Sequence, residues 1–171
     1  MNYADIKSKD VANGQGFGVS LFVSGCTHHC KGCFNSCTWD FNYGEMFTNK
    51  ELDLILSYLD RPYVDFFAVL GGEPFEKGNR VTVFNILKEV RRNFPRLCIN
   101  IWSGYTYEEL LAFDDDSVTG ILNISNYLVD GEFKEELKDL SLKMRGSSNQ
   151  RVIDLGKTLS SGSIVLMEDL M

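Results

Sequence analysis

Three short, mainly apolar runs constrain this chain most: residues 19–24, 66–70 and 97–102. Each is rich in β-branched or aromatic side chains and is followed by glycine or Ser-Gly, as strands buried on both faces tend to be. Helix patterns lie between them. Thr48-Asn-Lys-Glu51 has the form of a capping box, with Thr48 as N-cap and Glu51 reaching back. Leu52, Ile55, Leu56 and Leu59 then fall at helical spacing, and Arg61-Pro62 ends the run. A second helix is predicted over 79–94, with Phe84, Leu87, Val90 and Phe94 inward, and Pro95 closes it. Thr106-Tyr-Glu-Glu109 is another capping box, opening a short helix. Residues 121–129 read as a fourth strand, 151–155 as a later one, and 164–167 as a last one. This alternation predicts an α/β fold: a mostly parallel sheet with crossover helices. A full eight-unit barrel takes about 250 residues. The 171 residues here suit a single domain whose sheet is open or forms a partial barrel.

The first strand runs into Gly25-Cys26-Thr-His-His-Cys30-Lys-Gly-Cys33, three cysteines at CxxxCxxC spacing. Ligands of parallel sheets gather at this end of the strands. Thiolates select iron–sulfur clusters, zinc or copper(I) over hard cations. A cubane cluster takes four cysteines; three would leave one iron open to a cofactor or substrate. Cys37 follows four residues later and reads as a buried small hydrophobe, and Cys98 as strand packing. His28 or His29 would complete a Cys₃His zinc site, which the spacing does not forbid. Asn13-Gly-Gln-Gly-Phe-Gly18 resembles the start of a dinucleotide fingerprint, but it precedes a strand instead of joining strand to helix, so it reads as an entry loop. The second strand ends in Gly71-Gly72-Glu73-Pro74, where glycine lets backbone approach a ligand closely.

Taken together, Phe22–Asn35 with its three cysteines, Thr38-Trp39 and Gly71–Pro74 resemble the radical S-adenosylmethionine (SAM) enzymes. Within them the match is to the activating enzymes of anaerobic ribonucleotide reductase. Trp102-Ser-Gly-Tyr105, Val129-Asp130-Gly131, Phe133 and Arg145–Arg151 belong to the same resemblance, which spans about residues 13–151 and leaves 152–171 as an extension. The resemblance implies an open partial (βα) barrel of radical SAM type. It implies a [4Fe–4S] cluster on Cys26, Cys30 and Cys33, with SAM contacted by Gly71, Gly72, Glu73 and Pro74. Trp102 would wall the SAM pocket. Asp130 either orients the cofactor or caps a loop. Many radical SAM enzymes carry an aromatic residue just before the third cysteine, near adenine. Here that position is Gly32, with Phe34 following, so the adenine contact falls to this pair. The implied partner is the large reductase subunit, in which a glycine would lose hydrogen to a 5′-deoxyadenosyl radical. Flavodoxin or a thiol system would supply the electron.

Composition narrows the rivals. A net charge of −7 argues against a nucleic-acid partner, and no run approaches the roughly 20 apolar residues of a membrane span. Residues 1–10 are polar and lack a signal-peptide core, so a cytoplasmic location is expected. Four of the five cysteines crowd between 26 and 37, unlike a secreted disulfide framework. Two alternatives stand beside the activase: a radical SAM enzyme acting on a small molecule, such as a deazapurine-type synthase, and a non-enzymatic zinc module or electron carrier.

Overall fold

The computed structural model describes residues 1–167. Its elements in chain order are β1 (Asn2–Asp10), β2 (Gly18–Val23), β3 (Glu45–Met46), α1 (Asn49–Leu59), β4 (Phe66–Gly71), α2 (Arg80–Asn93), β5 (Cys98–Trp102), α3 (Tyr107–Leu111), α4 (Asp116–Ile124), β6 (Tyr127–Asp130), β7 (Arg151–Asp154) and α5 (Leu155–Ser161). The seven strands form one open sheet in the order β3-β1-β2-β4-β5-β6-β7. Strands β2, β4, β5 and β6 are parallel, as the three apolar runs predict. Antiparallel strands close both sides: β1 and β3 beyond β2, and β7 beyond β6. No described helix is long and apolar enough to cross a membrane.

The helices share one face of the sheet. Val19, Leu21 and Val23 of β2, Phe67 and Val69 of β4, and Ile99 and Ile101 of β5 form one buried core with Ile55 of α1, Val83 and Leu87 of α2, and Ile121 of α4. The opposite face carries Phe22, Phe66, Ala68 and Leu70, with Cys98 and Trp102 packed against them. The glycine loop before β2 floors this second face. A Cβ at Gly14 or Gly18 would fall 2.4–2.5 Å from the Phe66 ring, so glycine permits the contact. Asn100 on β5 donates to the Asn13 carbonyl, and buried Asp10 accepts from Ser20 Oγ and from the amides of Ala12 and Asn13. The loop is an entry segment, as expected, and it has a packing role as well.

Four expectations change. Residues 1–10 read only as polar; Asn2–Asp10 form β1, and a register shift between Tyr3 and Asp5 lets both Tyr3 and Ile6 pack against the core while Asp5, Lys7 and Lys9 stay exposed. The strand expected at 121–129 is instead the end of α4 followed by the short β6. Asp115 caps α4 by accepting from the amides of Ser117 and Val118, and Val118, Ile121 and Leu122 turn one helical stripe inward. The α2 stripe is Val83, Ile86, Leu87 and Val90; Phe84 and Phe94 pack at its margin. Finally, Leu155 opens α5 rather than ending a strand, and 164–167 contributes an isolated antiparallel bridge, Leu166 to Ile153.

Candidate metal centre

The loops after β2, β4, β5 and β6 all emerge at the C-terminal ends of the parallel strands, and they meet in one cleft. Cys26, Cys30 and Cys33 line it together with Phe34, Trp39, Gly71–Glu73, Trp102–Gly104, Gly131, Phe133 and Gln150. Its volume is about 120 Å³. All three thiols are free and half-buried. Among the described residues no three His, Cys, Asp or Glu side chains converge on a single-ion site. Burial pushes the Cys26 thiol up to about 12, against the pull of the His28 and His29 amides. Burial also raises Cys30.

The chain builds this loop through backbone. Gly25 (φ +97°), His29 (φ +50°) and Gly32 (φ +74°) adopt left-handed conformations that turn it back on itself. Its base is held by Thr38 and Trp39, whose carbonyls accept from the amides of Gly25 (2.8 Å) and Cys26 (3.2 Å). Thr27 donates its amide and its hydroxyl to Glu76 Oε1, at 2.9 and 2.5 Å. Asn79, fully buried, donates to the carbonyls of Ser24 and Glu73. Glu76 and Asn79 escaped sequence reasoning because they lie just past a proline turn, where polar residues are ordinary.

The Gly71–Pro74 turn does its visible work inside the protein. A Cβ at Gly71 would come within 2.7 Å of Val23 backbone, and one at Gly72 within 2.6 Å of the Gly25 carbonyl oxygen. Close approach is therefore required, but the backbone approached is the chain's own, not a ligand's. Glu73 is 1% exposed and its carboxylate is fully engaged. Oε1 accepts from the Phe75 amide (2.9 Å) and Ser103 Oγ (3.0 Å), and Oε2 from the Gly104 amide (2.7 Å). His28 Nε2 sits 3.2 Å from Oε2 but off the line of a hydrogen bond, so that contact is electrostatic. The other ring nitrogen meets Glu132 at 3.0 Å. Burial opposes a charged His28, yet the two carboxylates overcome it and lift the group to about 9. His29 stacks on Trp39 with ring centroids 4.7 Å apart. Both histidines thus have other partners, and among the described residues neither converges with the thiols on a single-ion site of the Cys₃His kind.

The remaining candidates divide. Phe34 lines the cleft while 86% exposed. Gly32 faces Glu135, whose carboxylate a Cβ there would meet at 2.8 Å. Trp102 walls the cleft and anchors itself by donating Nε1 to the Met144 carbonyl. Asp130 is buried, accepts from the Tyr107 amide at the start of α3, and pairs with Arg151, which reaches on to Glu108. Cys37 is exposed and near Asn35 Oδ1 (3.6 Å), outside the cleft lining; the expected burial is not met. Cys98 packs beneath the sheet as expected, and burial lifts it to about 11.

Residues 12–153 match the family model for a 4Fe-4S single cluster domain. Curated relatives extend the match to nearly the whole of both chains. An anaerobic ribonucleoside-triphosphate reductase-activating protein of Escherichia coli is 38% identical over 154 residues, covering 89% of this chain and 97% of its own. Proteins of the same description from Vibrio cholerae (38%, 88% and 96%) and Enterobacteria phage T4 (34%, 89% and 93%) align similarly. The chain belongs to the family of anaerobic ribonucleoside-triphosphate reductase-activating proteins. The family that the sequence resembles is thus shown for the chain as a whole.

Proposed function

We propose that this chain activates an anaerobic ribonucleotide reductase by radical SAM chemistry. Cys26, Cys30 and Cys33 would hold a [4Fe–4S] cluster, the sheet serving as an open partial barrel. The observation that carries the reading is three free thiols around one cleft that also contains the Gly71–Glu73 turn, at the C-terminal ends of four parallel strands. The donor set fits the group: thiolates suit iron–sulfur clusters, and three of them leave one metal position open. When bound, the cluster would pass one electron from the external donor to SAM, and the S–C5′ bond would break to methionine and a 5′-deoxyadenosyl radical able to take hydrogen from a reductase glycine Cα.

The chain's own residues hold and shield. Glu73 fixes the ends of β4 and β5 and leans on His28. Thr38 and Trp39 hold the base of the cysteine loop. Phe34, Trp39, Trp102 and Phe133 give the cleft apolar walls, which would keep water from a reactive intermediate. Gly71, Gly72, Pro74, Gly32 and Asp130 remain proposed SAM-site residues, acting through the backbone shape they impose. A cytoplasmic location, with flavodoxin or a thiol system as electron donor, completes the proposal.

The test is anaerobic reconstitution with iron, sulfide and reductant, followed by SAM and the large reductase subunit. About four irons per chain are expected. Electron paramagnetic resonance should show a glycyl radical doublet on the reductase, and deuterium at its glycine Cα should pass into 5′-deoxyadenosine. Cys26→Ala, Cys30→Ala and Cys33→Ala should each lose the cluster, while Cys37→Ala and Cys98→Ala keep it. Reductive SAM cleavage without a reductase radical, alongside conversion of a small molecule, would replace this reading with the small-molecule one.

A further inference from the structure

Between the Gly71–Pro74 turn and α2 the chain makes two consecutive turns. The Glu73 carbonyl accepts from the Glu76 amide (3.2 Å), and the Glu76 carbonyl from the amides of Asn79 (2.8 Å) and Arg80 (2.9 Å). This backbone is anchored to the helix, so the side chains of Glu76 and Asn79 start from fixed points.

Asn79 stands at the N-cap of α2, where asparagine ordinarily accepts from the first helical amides. Its side chain makes no such bond. It is buried and turned to two strand ends instead: Nδ2 donates to the Ser24 carbonyl, just past β2, and to the Glu73 carbonyl, just past β4, both at 2.9 Å. Glu76 Oε1 accepts from the amide and the hydroxyl of Thr27, the residue after Cys26. Backbone bonds run between the same segments. The Gly72 amide donates to the Val23 carbonyl (2.7 Å) and the Glu73 amide to the Gly25 carbonyl (2.8 Å). The turn is thus tied to the cysteine loop at Val23, Ser24, Gly25 and Thr27, on both sides of Cys26.

We infer that Glu76 and Asn79 are positioning residues that lock the Cys26 end of the cysteine loop to the Gly71–Glu73 turn, so that the two keep one fixed separation. This rests on the function proposed above, in which one SAM molecule meets an open metal position held by the loop and also the turn. A ligand that must meet two elements at once binds more weakly when their separation is not set beforehand. Neither residue need touch SAM or metal to have this effect.

The experiment is calorimetric titration of the reconstituted, iron-loaded protein with SAM, joined to amide hydrogen exchange on the metal-free protein. Glu76→Ala removes the acceptor for Thr27. Glu76→Gln keeps an acceptor oxygen and removes the charge. Thr27→Val removes the hydroxyl donor and leaves the amide. Glu76→Ala is expected to bind SAM severalfold more weakly, Thr27→Val to fall between it and the parent, and Glu76→Gln to match the parent. In metal-free Glu76→Ala, exchange should quicken at the Glu73 amide as well as at Thr27, whose own acceptor is gone. Parent-like SAM affinity in iron-loaded Glu76→Ala overturns the inference even if its resistance to urea falls, because a purely structural bond would move only the resistance. Exchange quickened at Thr27 alone also overturns it, since loop and turn would then move independently. Equal weakening in Glu76→Gln would assign the effect to charge and remove the positioning role. Should Glu76→Ala take up no iron, Thr27→Val decides in its place, and parent affinity there overturns the inference. A parent protein that loads no iron or binds no SAM refutes the proposed function instead, so the two failures are distinguishable.

Discussion

At Gly72 the glycine is demanded by a neighbour in the chain, and this alters what its replacement should do. Valine would put Cβ 2.6 Å from the Gly25 carbonyl oxygen and 3.0 Å from that of Thr38. Neither is the end of a flexible side chain, and Gly25 directly precedes Cys26. Gly72→Val is therefore expected to lower iron uptake as well as SAM binding; full iron loading with only SAM affinity reduced would show that the glycine serves the cofactor alone. Asp10 gives a second residue-scale expectation. Burial would raise its pKa, but hydrogen bonds from Ser20, Ala12 and Asn13 hold the carboxyl below its ordinary value. A depressed folded-state value contributes stability that is fully present above the unfolded pKa of about 3.9 and is lost as pH falls through the folded one. Asp10→Asn should cost about 1–3 kcal/mol at pH 7. That deficit should shrink in urea melts below about pH 4; an equal deficit at pH 3 would mean the charge is irrelevant. The cysteines and the Gly71–Pro74 turn were legible because their residue types are rare and closely spaced. The inward turn of Glu73 was not, because its partners Ser103, Gly104 and His28 are 30 or more residues away in sequence.

The elements most easily read were those with one dominant signal. Strands β2, β4 and β5 are mainly apolar, and α1 and α3 carry capping boxes that form as written, Thr48 with Glu51 and Thr106 with Glu109. Elements with divided signals were misread. In β1 the core-facing Tyr3 and Ile6 are out of strict alternation, because of the register shift between Tyr3 and Asp5, so its sequence shows no strand period. In α4, Val118, Thr119, Ile121 and Ile124 are β-branched and favour strand locally. Tertiary packing and the Asp115 cap override that preference. Helix α4 packs closely on α2: a Cβ at Gly120 would strike the Phe84 ring at 2.3 Å. Asp115 also pairs with Arg80 of α2 at 3.0 Å. Asp115→Ala should thus remove a cap and an interhelical ion pair together, costing about 1–2 kcal/mol. Chemical denaturation measures it directly. A loss below a few tenths would show that packing alone holds the helix.

On the scale of the whole molecule, the parallel strands deliver four loops to one mouth, and the space there sets a condition on the proposed chemistry. The cleft at the cysteines holds about 120 Å³. Pockets for small molecules run from about 300 Å³ upward. A cluster and SAM together therefore need room beyond it. The nearest room is a pocket of about 450 Å³ lined by Tyr105, Thr106, Lys134 and Arg151, among others, which shares His28, Gly104 and Gly131 with the cleft. The His28 ring stands at the junction, stacked edge-on against Tyr105 at 4.4 Å, and the bare Cα of Gly104 gives it space. An added Cβ at Gly104 would fall 2.5 Å from the ring and push it. Overpacking of this kind costs about 1–3 kcal/mol. Gly104→Ala should displace this ring and weaken SAM binding in the iron-loaded protein, by about tenfold where about 1.4 kcal/mol of the displacement bears on the bound state. Calorimetric titration of the iron-loaded variant with SAM reads this out. Parent-like affinity in that variant would mean that SAM enters without crossing the His28 junction, and that the larger pocket has no part in holding it.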